Sequence, residues 1–209
     1  MNYRKVKFFL IMVFVTALLD LLPSIGFITV GDVSVTTMQL PTILTSILLG
    51  PLCGLLIGGL FGTISMFRAM SREAATLDIL FQNPLVSILP RLCIALVAGW
   101  VYRLLDRALK GRARALSMEA AAVLGSLTNT ILVFSALYLV YPKELVQLFD
   151  VPSTVELRGL LLESIQFNGV IEAVVSMVII AILATAIQSL WARWDRNEEE
   201  PSITRILSE

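Results

Sequence analysis

Residues 33–67 read VSVTTMQLPTILTSILLGPLCGLLIGGLFGTISMF, without one charged side chain. As a single helix this run would be about 52 Å long, at roughly 1.5 Å per residue. A bilayer's hydrocarbon core is only about 30 Å thick. The run must therefore fold back, and Gly50-Pro51 is the place. Glycine accepts backbone angles closed to other residues, and proline lacks the N–H a helix interior needs. The reading predicts two membrane helices joined by a very short turn, one over Gln39 to Leu49 and the next over Leu52 to Met66. The second carries Gly54, Gly58 and Gly62 at a spacing of four, a face without side chains that lets another helix approach closely. Packing within the bundle and docking of a partner protein both fit that face.

Composition agrees. The 209 residues are 57% hydrophobic and 15% charged, with a mean hydropathy of +0.85. Soluble domains carry about 25% charged residues, so the surplus apolar surface belongs in lipid. Sixteen basic and sixteen acidic residues cancel, which gives no basic excess of the kind nucleic acid requires. Histidine, the commonest metal ligand and neutral-pH base, is absent. Cys53 and Cys93 lie in apolar stretches and read as buried free thiols. No cofactor or metal site is expected.

Four further membrane helices complete an expected set of six. The first covers Val6 to Leu22 and stops at Pro23. Basic Arg4, Lys5 and Lys7 before an apolar run resemble a signal peptide, but Asp20-Leu-Leu-Pro23 follows where a cleavage site of small residues belongs, so the segment is read as a retained helix. Residues 24–37 alternate β-branched, small and polar types and predict an extended loop or short hairpin capping one face. A polar loop from Arg68 to Asn83, with Arg72, Glu73 and Asp78, leads to the fourth helix, Pro84 to Leu105. A basic loop from Asp106 to Leu116 precedes the fifth, Met118 to Tyr141. A mixed loop from Lys143 to Glu163 precedes the sixth, Ser164 to Leu190. The fold class is thus an all-α membrane protein, one domain over residues 1–190 with a polar, frayed tail over 191–209. Placing the N-terminus in the cytoplasm puts 11 of the 16 basic residues inside, so the positive-inside rule predicts both termini cytoplasmic. Trp100, Tyr102, Trp191 and Trp194 then mark the inner boundary, Tyr138 and Tyr141 the outer.

Polar side chains within a membrane are expensive and mark functional sites. Those here gather in the outer half: Arg91, Asn129, and Asn168 with Glu172 one helical turn apart on one face. Asn83 opens helix four, Gln39 opens helix two, and Asp20 ends helix one at the interface. Together they predict a polar pocket open to the outside and closed toward the cytoplasm. Each also has a plainer reading. Arg91 could neutralise Glu172, Asn129 could bond a neighbouring helix, and Asn168 could serve an interrupted helix beside Gly169. The chain lacks a phosphate-binding GxxxxGK[ST] loop and any nucleophile–base motif. Neither ATP hydrolysis nor enzymatic catalysis is expected of it.

The segments FQNPLVSILPR at 81–91, GSLTNT at 125–130 and NGVIEA at 168–173, with Gly26-Phe-Ile-x-x-Gly31 and LLGP at 48–51, resemble the substrate-binding (S) components of energy-coupling factor (ECF) transporters, closest to the pantothenate-type branch. The resemblance runs in order from about residue 8 to 190. It implies a six-helix vitamin binder of a prokaryotic plasma membrane, docked on a transmembrane coupling (T) subunit driven by two cytoplasmic ATPases. Pantothenate is the first ligand expected, cobalamin or its precursor the next. From their shared depth and outward position, the expected ligand contacts are Asn83, Arg91, Asn129, Asn168, Glu172 and Gln39. The family often shows an Ala-x-x-x-Ala docking pair on helix one; here Ala17 is flanked by Val13 and Leu21, so Gly54, Gly58 and Gly62 enter as docking candidates beside it. A membrane scaffold or assembly protein, whose polar residues only pack helices, is the alternative.

Overall fold

The fold-back at Gly50-Pro51 is present in the computed structural model, which describes residues 3–22, 26–30, 33–71, 79–110 and 112–206. Helix α2 (Leu40–Leu48) ends and α3 (Pro51–Ser71) begins across Leu49 and Gly50. Gly50 takes φ of +101°, a conformation that only glycine adopts without strain. Before these come α1 (Tyr3–Leu21) and an antiparallel hairpin of β1 (Phe27–Val30) and β2 (Val33–Thr36), in which Phe27 pairs with Thr36 and Val30 with Val33. The alternating segment does form a hairpin, so the fold is all-α except for that element. Pro23, Arg72, Glu73 and Asp78, named above, lie outside the described residues.

The rest of the chain differs from the expected boundaries in several places. Helix four is split into α4 (Pro84–Ser87) and α5 (Leu89–Ala108), because Pro90 has no N–H to bond the carbonyl of Val86. The fifth expected helix is α6 (Arg114–Val140), longer at its start. The expected loop from Lys143 to Glu163 is largely helical: α7 (Pro142–Leu148) starts on a proline, and α8 (Thr154–Ile206) starts nine residues before Glu163. Ser153 caps α8, its Oγ accepting from the Glu156 backbone N–H at 3.3 Å; the Ser-x-x-Glu pattern is a helix-start signal. Nor does the helix fray after Leu190, since its backbone runs on to Ile206.

Helices α1, α3, α5, α6 and α8 stand as successive neighbours, and all five touch α2. Every residue from Leu40 to Ile47 is buried. Among the described residues four segments are long and apolar enough to cross a membrane: α3, the α4–α5 pair, α6 and α8. Helix α1 carries Arg4, Lys5, Lys7 and Asp20 in its 19 residues. Helix α2 has nine residues, a rise of about 14 Å, half the hydrocarbon thickness. Large apolar side chains such as Phe14, Leu52, Leu56, Leu139 and Ile182 face outward, as a lipid-bathed surface requires.

The glycine face of α3 turns inward. A Cβ at Gly54 would collide with Ser46 of α2; at Gly58 it would meet the Arg91 carbonyl oxygen of α5, and at Gly62 the backbone of Ser87 and Ile88. The expected docking role for Gly54, Gly58 and Gly62 is therefore corrected: the three are covered by α2, α4 and α5 of the same chain. Gly58→Ala should destabilise the protein by about 1–3 kcal/mol, the usual range for overpacking. Gly59→Ala, whose Cβ would find only Leu92 Cδ2 at 3.6 Å, should be neutral. Thermal unfolding of both variants in detergent checks the contrast; equal melting temperatures would show that the glycine face is not packed.

Candidate functional site

Pro90 leaves the Val86 carbonyl without its helical partner, and the next residue takes it. Arg91 Nη1 donates to Val86 O at 2.8 Å. Its guanidinium carbon sits 5.1 Å from the Phe61 ring centroid and 5.6 Å from that of Phe81, two cation–π contacts that favour a desolvated cation. Arg91 is buried, and its Nε has no hydrogen-bond partner. Among the described residues no carboxylate lies within ion-pair distance of it. The plainer reading of Arg91 as the salt-bridge partner of Glu172 is thus not what the structure shows.

Arg91 lines a cavity of about 330 Å³. From α6 come Asn129, Thr130, Val133 and Phe134; from α8 come Asn168 and Glu172; from α3 come Phe61, Ser65, Arg68 and Ala69. Phe81 closes one wall, and Thr36 and Met38, at the exit of the hairpin, another. Glu172 Oε1 accepts from the Thr36 backbone N–H and Oε2 from the Thr130 hydroxyl, both at 3.1 Å. Asn129 Oδ1 is buried without a partner. Such orphaned polar atoms are rare inside proteins; here an unmatched donor and an unmatched acceptor belong to residues lining one cavity.

Two of the six expected contacts lie elsewhere. Asn83 does not line the cavity; its side chain caps α4, accepting from the Leu85 N–H at 2.9 Å. Gln39 is fully buried, and its Nε2 donates to Ser126 Oγ at 2.7 Å and to Ser176 Oγ at 3.3 Å. It ties the start of α2 to α6 and α8. Asp20, expected at the end of helix one, packs inside the bundle. It is fully buried, 2.9 Å from Arg68 Nη1, and accepts from Ser65 Oγ at 3.1 Å. Ser65 and Arg68 line the cavity in front of it, so α1 and α3 are joined behind the site by an ion pair between a buried carboxylate and a half-buried guanidinium.

Sequence reading missed Phe61, Phe81, Phe134, Ser65 and Arg68. One signal was available: Phe61, Ser65 and Arg68 are four and three residues apart, a helical stripe that also carries Gly58 and Gly62. Arg68 stands on α3, not in a loop, because that helix runs to Ser71, beyond the expected end at Met66.

Residues 7–187 match the family of the ECF transporter, substrate-specific component. The chain belongs to that family. It is a multi-pass plasma-membrane protein that captures substrate for a transporter, and not an enzyme. The curated pantothenate transporter PanT of Leuconostoc mesenteroides subsp. mesenteroides is 26% identical over 194 residues, covering 90% of this chain and 95% of that one. The solved structure of ThiT from Listeria monocytogenes superposes with a TM-score of 0.58 at 18% identity, over 90% of this chain and 98% of that one. The fold of this S component is therefore shared with a solved relative.

Asp20 and Arg68 provide a sharp test of the site's support. Arg68→Met removes one cationic partner of the buried Asp20 carboxylate and should destabilise the protein by about 1–3 kcal/mol. Adding Asp20→Asn to Arg68→Met should restore much of the loss. A double variant as unstable as the single one in thermal unfolding would show that the pair contributes packing alone.

Proposed function

We propose that this chain is the substrate-capture subunit of an ECF-type importer and that its ligand is pantothenate. The observation that carries the ligand is the buried Arg91 guanidinium, with no carboxylate in ion-pair range among the described residues, in one cavity with Asn129, Asn168 and Glu172. Pantothenate offers a carboxylate for Arg91, an amide for Asn129 and Asn168, and hydroxyls for Glu172 and Thr130. Its methyl groups suit Phe61, Val133 and Phe134. The similarity to PanT supports the same reading. A whole corrinoid is far larger than about 330 Å³, so the cavity favours the smaller vitamin.

In this reading α1 and the half-length α2 complete the six membrane segments, both termini are cytoplasmic, and the cavity opens outward. The bias of basic residues toward the opposite end of the bundle supports that orientation. A T subunit and two ATPases supply the energy. With the glycine face covered, the docking surface falls to the outer face of α1, where Ala17 lies between exposed Phe14 and exposed Leu18 and Leu21.

Calorimetric titration of pantothenate into the detergent-purified chain tests the site. Arg91→Ala should weaken binding about a hundredfold or more, as loss of a buried charge-assisted contact does. Asn129→Ala and Asn168→Ala should each weaken it about tenfold. Asn83→Ala should leave affinity unchanged and lower stability by about 1 kcal/mol, the loss of a helix cap. Unaltered affinity in both asparagine variants would remove the site from this cavity. Native mass spectrometry separates the scaffold reading, in which no small molecule travels with the chain.

A further inference from the structure

Gln39 stands at the N-cap position of α2, yet its side chain does not cap that helix. It is fully buried, and its Nε2 donates to Ser126 Oγ of α6 at 2.7 Å and to Ser176 Oγ of α8 at 3.3 Å. Its Oε1 has no partner. A buried amide with an unmatched oxygen costs free energy that a methionine of similar size would not. The amide therefore needs a reason beyond filling space, and its two partners supply one. Ser126 lies one turn from Asn129 and Thr130 along α6, and Ser176 lies one turn from Glu172 along α8. The same two helices are joined at cavity level by the Thr130–Glu172 hydrogen bond of 3.1 Å. Gly169 lets them come close there, since a Cβ on it would meet Thr130 Cγ2 at 3.3 Å. Gln39 thus forms a second rung between α6 and α8, one turn from a rung that belongs to the site itself.

We infer that Gln39 is a positioning residue for the solute site: by tying α6 to α8 it sets the gap between Asn129 on one helix and Asn168 and Glu172 on the other. This role rests on the reading of that cavity as the pantothenate site. A solute bound there must meet both helices at once, and polar contacts need their partners held within about 0.5 Å of the right geometry. Gln39 does not act by touching the solute, because it is fully buried and does not line the cavity. It acts on the free protein. Without the rung, α6 and α8 sample wider separations, and only the fraction with the right gap is competent to bind. Apparent affinity falls by that fraction. The rung also lies next to the hairpin's own anchor, since α8 holds the Thr36 backbone through Glu172 and Gln39 through Ser176, one turn apart.

Calorimetric titration and thermal unfolding of the full chain together separate positioning from packing. Gln39→Met should weaken pantothenate binding about tenfold, as when the competent fraction falls to about a tenth. Adding Ser126→Ala and Ser176→Ala replaces the whole buried polar group by apolar side chains. That triple variant should melt close to wild type, with the affinity still lost. Thr42→Val, equally buried on α2 but packed toward Gly58 of α3, should leave affinity unchanged. A readout without ligand is the distance between spin labels at Leu124→Cys on α6 and Val178→Cys on α8, in a Cys53→Ala, Cys93→Ala background. Both label positions are exposed and lie two residues from a tied serine. Double electron–electron resonance should give a broader distance distribution once Gln39→Met is introduced. Unchanged affinity in Gln39→Met overturns the inference, as does affinity restored in the triple variant, or a distance distribution that does not change. Wild type that takes no pantothenate removes the ligand reading instead, and the spin-label distances then decide the rung by themselves.

Discussion

Everything in this bundle depends on a helix too short for its surroundings. Nine residues of α2 reach about halfway through a hydrocarbon core, yet five long helices pack around it. An apolar helix with every side buried belongs at the centre of a bundle, and Thr42, Thr45 and Ser46 keep this one slender. The other half of the central column has no helix to fill it. There the hairpin, Met38 and the cavity stand instead. The site is thus the space left by a truncated core, lined by the same faces of α3, α5, α6 and α8 that grip α2 lower down. Gly50 makes the truncation workable, because a left-handed turn returns the chain into α3 within two residues.

A buried cation needs a local reason to be tolerated, and Pro90 gives one. By deleting one backbone donor it frees the Val86 carbonyl, which becomes a built-in acceptor for Arg91. Two aromatic faces replace part of the lost hydration. Asp20 and Arg68 solve the same problem differently, each compensating the other, with Ser65 as a further donor. The contrast between the two arginines decides their chemistry. Arg68 is matched within the protein, whereas Arg91 lines the cavity with its Nε unmatched.

The sequence made the fold-back legible because charge and length left no other solution for residues 33–67. It also made Arg91, Asn129, Asn168 and Glu172 legible, because polar side chains in an apolar helix are conspicuous. What stayed hidden was of two kinds. Aromatic residues such as Phe61 and Phe134 look alike whether they face lipid, core or ligand, and only packing sorts them. Helix ends differ from expectation where polar residues continue a helix beyond its apolar run, as at Arg68 on α3 and Arg158 on α8. The glycine series was read correctly as a close-approach surface, but sequence could not say what approaches; α2, α4 and α5 do. Asn83 and Gln39 are conspicuous in the same way without sharing the cavity, since position along a helix does not fix direction around it.

Glu172 ties these levels together. One carboxylate oxygen holds the backbone of Thr36, where the hairpin leaves β2; the other holds Thr130 on α6; and the residue itself stands on α8 at the cavity wall. A ligand hydroxyl that binds this carboxylate either shares it with the hairpin or competes for it. In both cases occupancy of the cavity and the position of the hairpin are thermodynamically linked, and the linkage acts equally in both directions. Thr130, buried one residue from Asn129, extends the linkage to the side chain whose Oδ1 has no partner. The polar cluster is therefore more than a lining: the contacts that would recognise a solute are also those that hold the hairpin against α8.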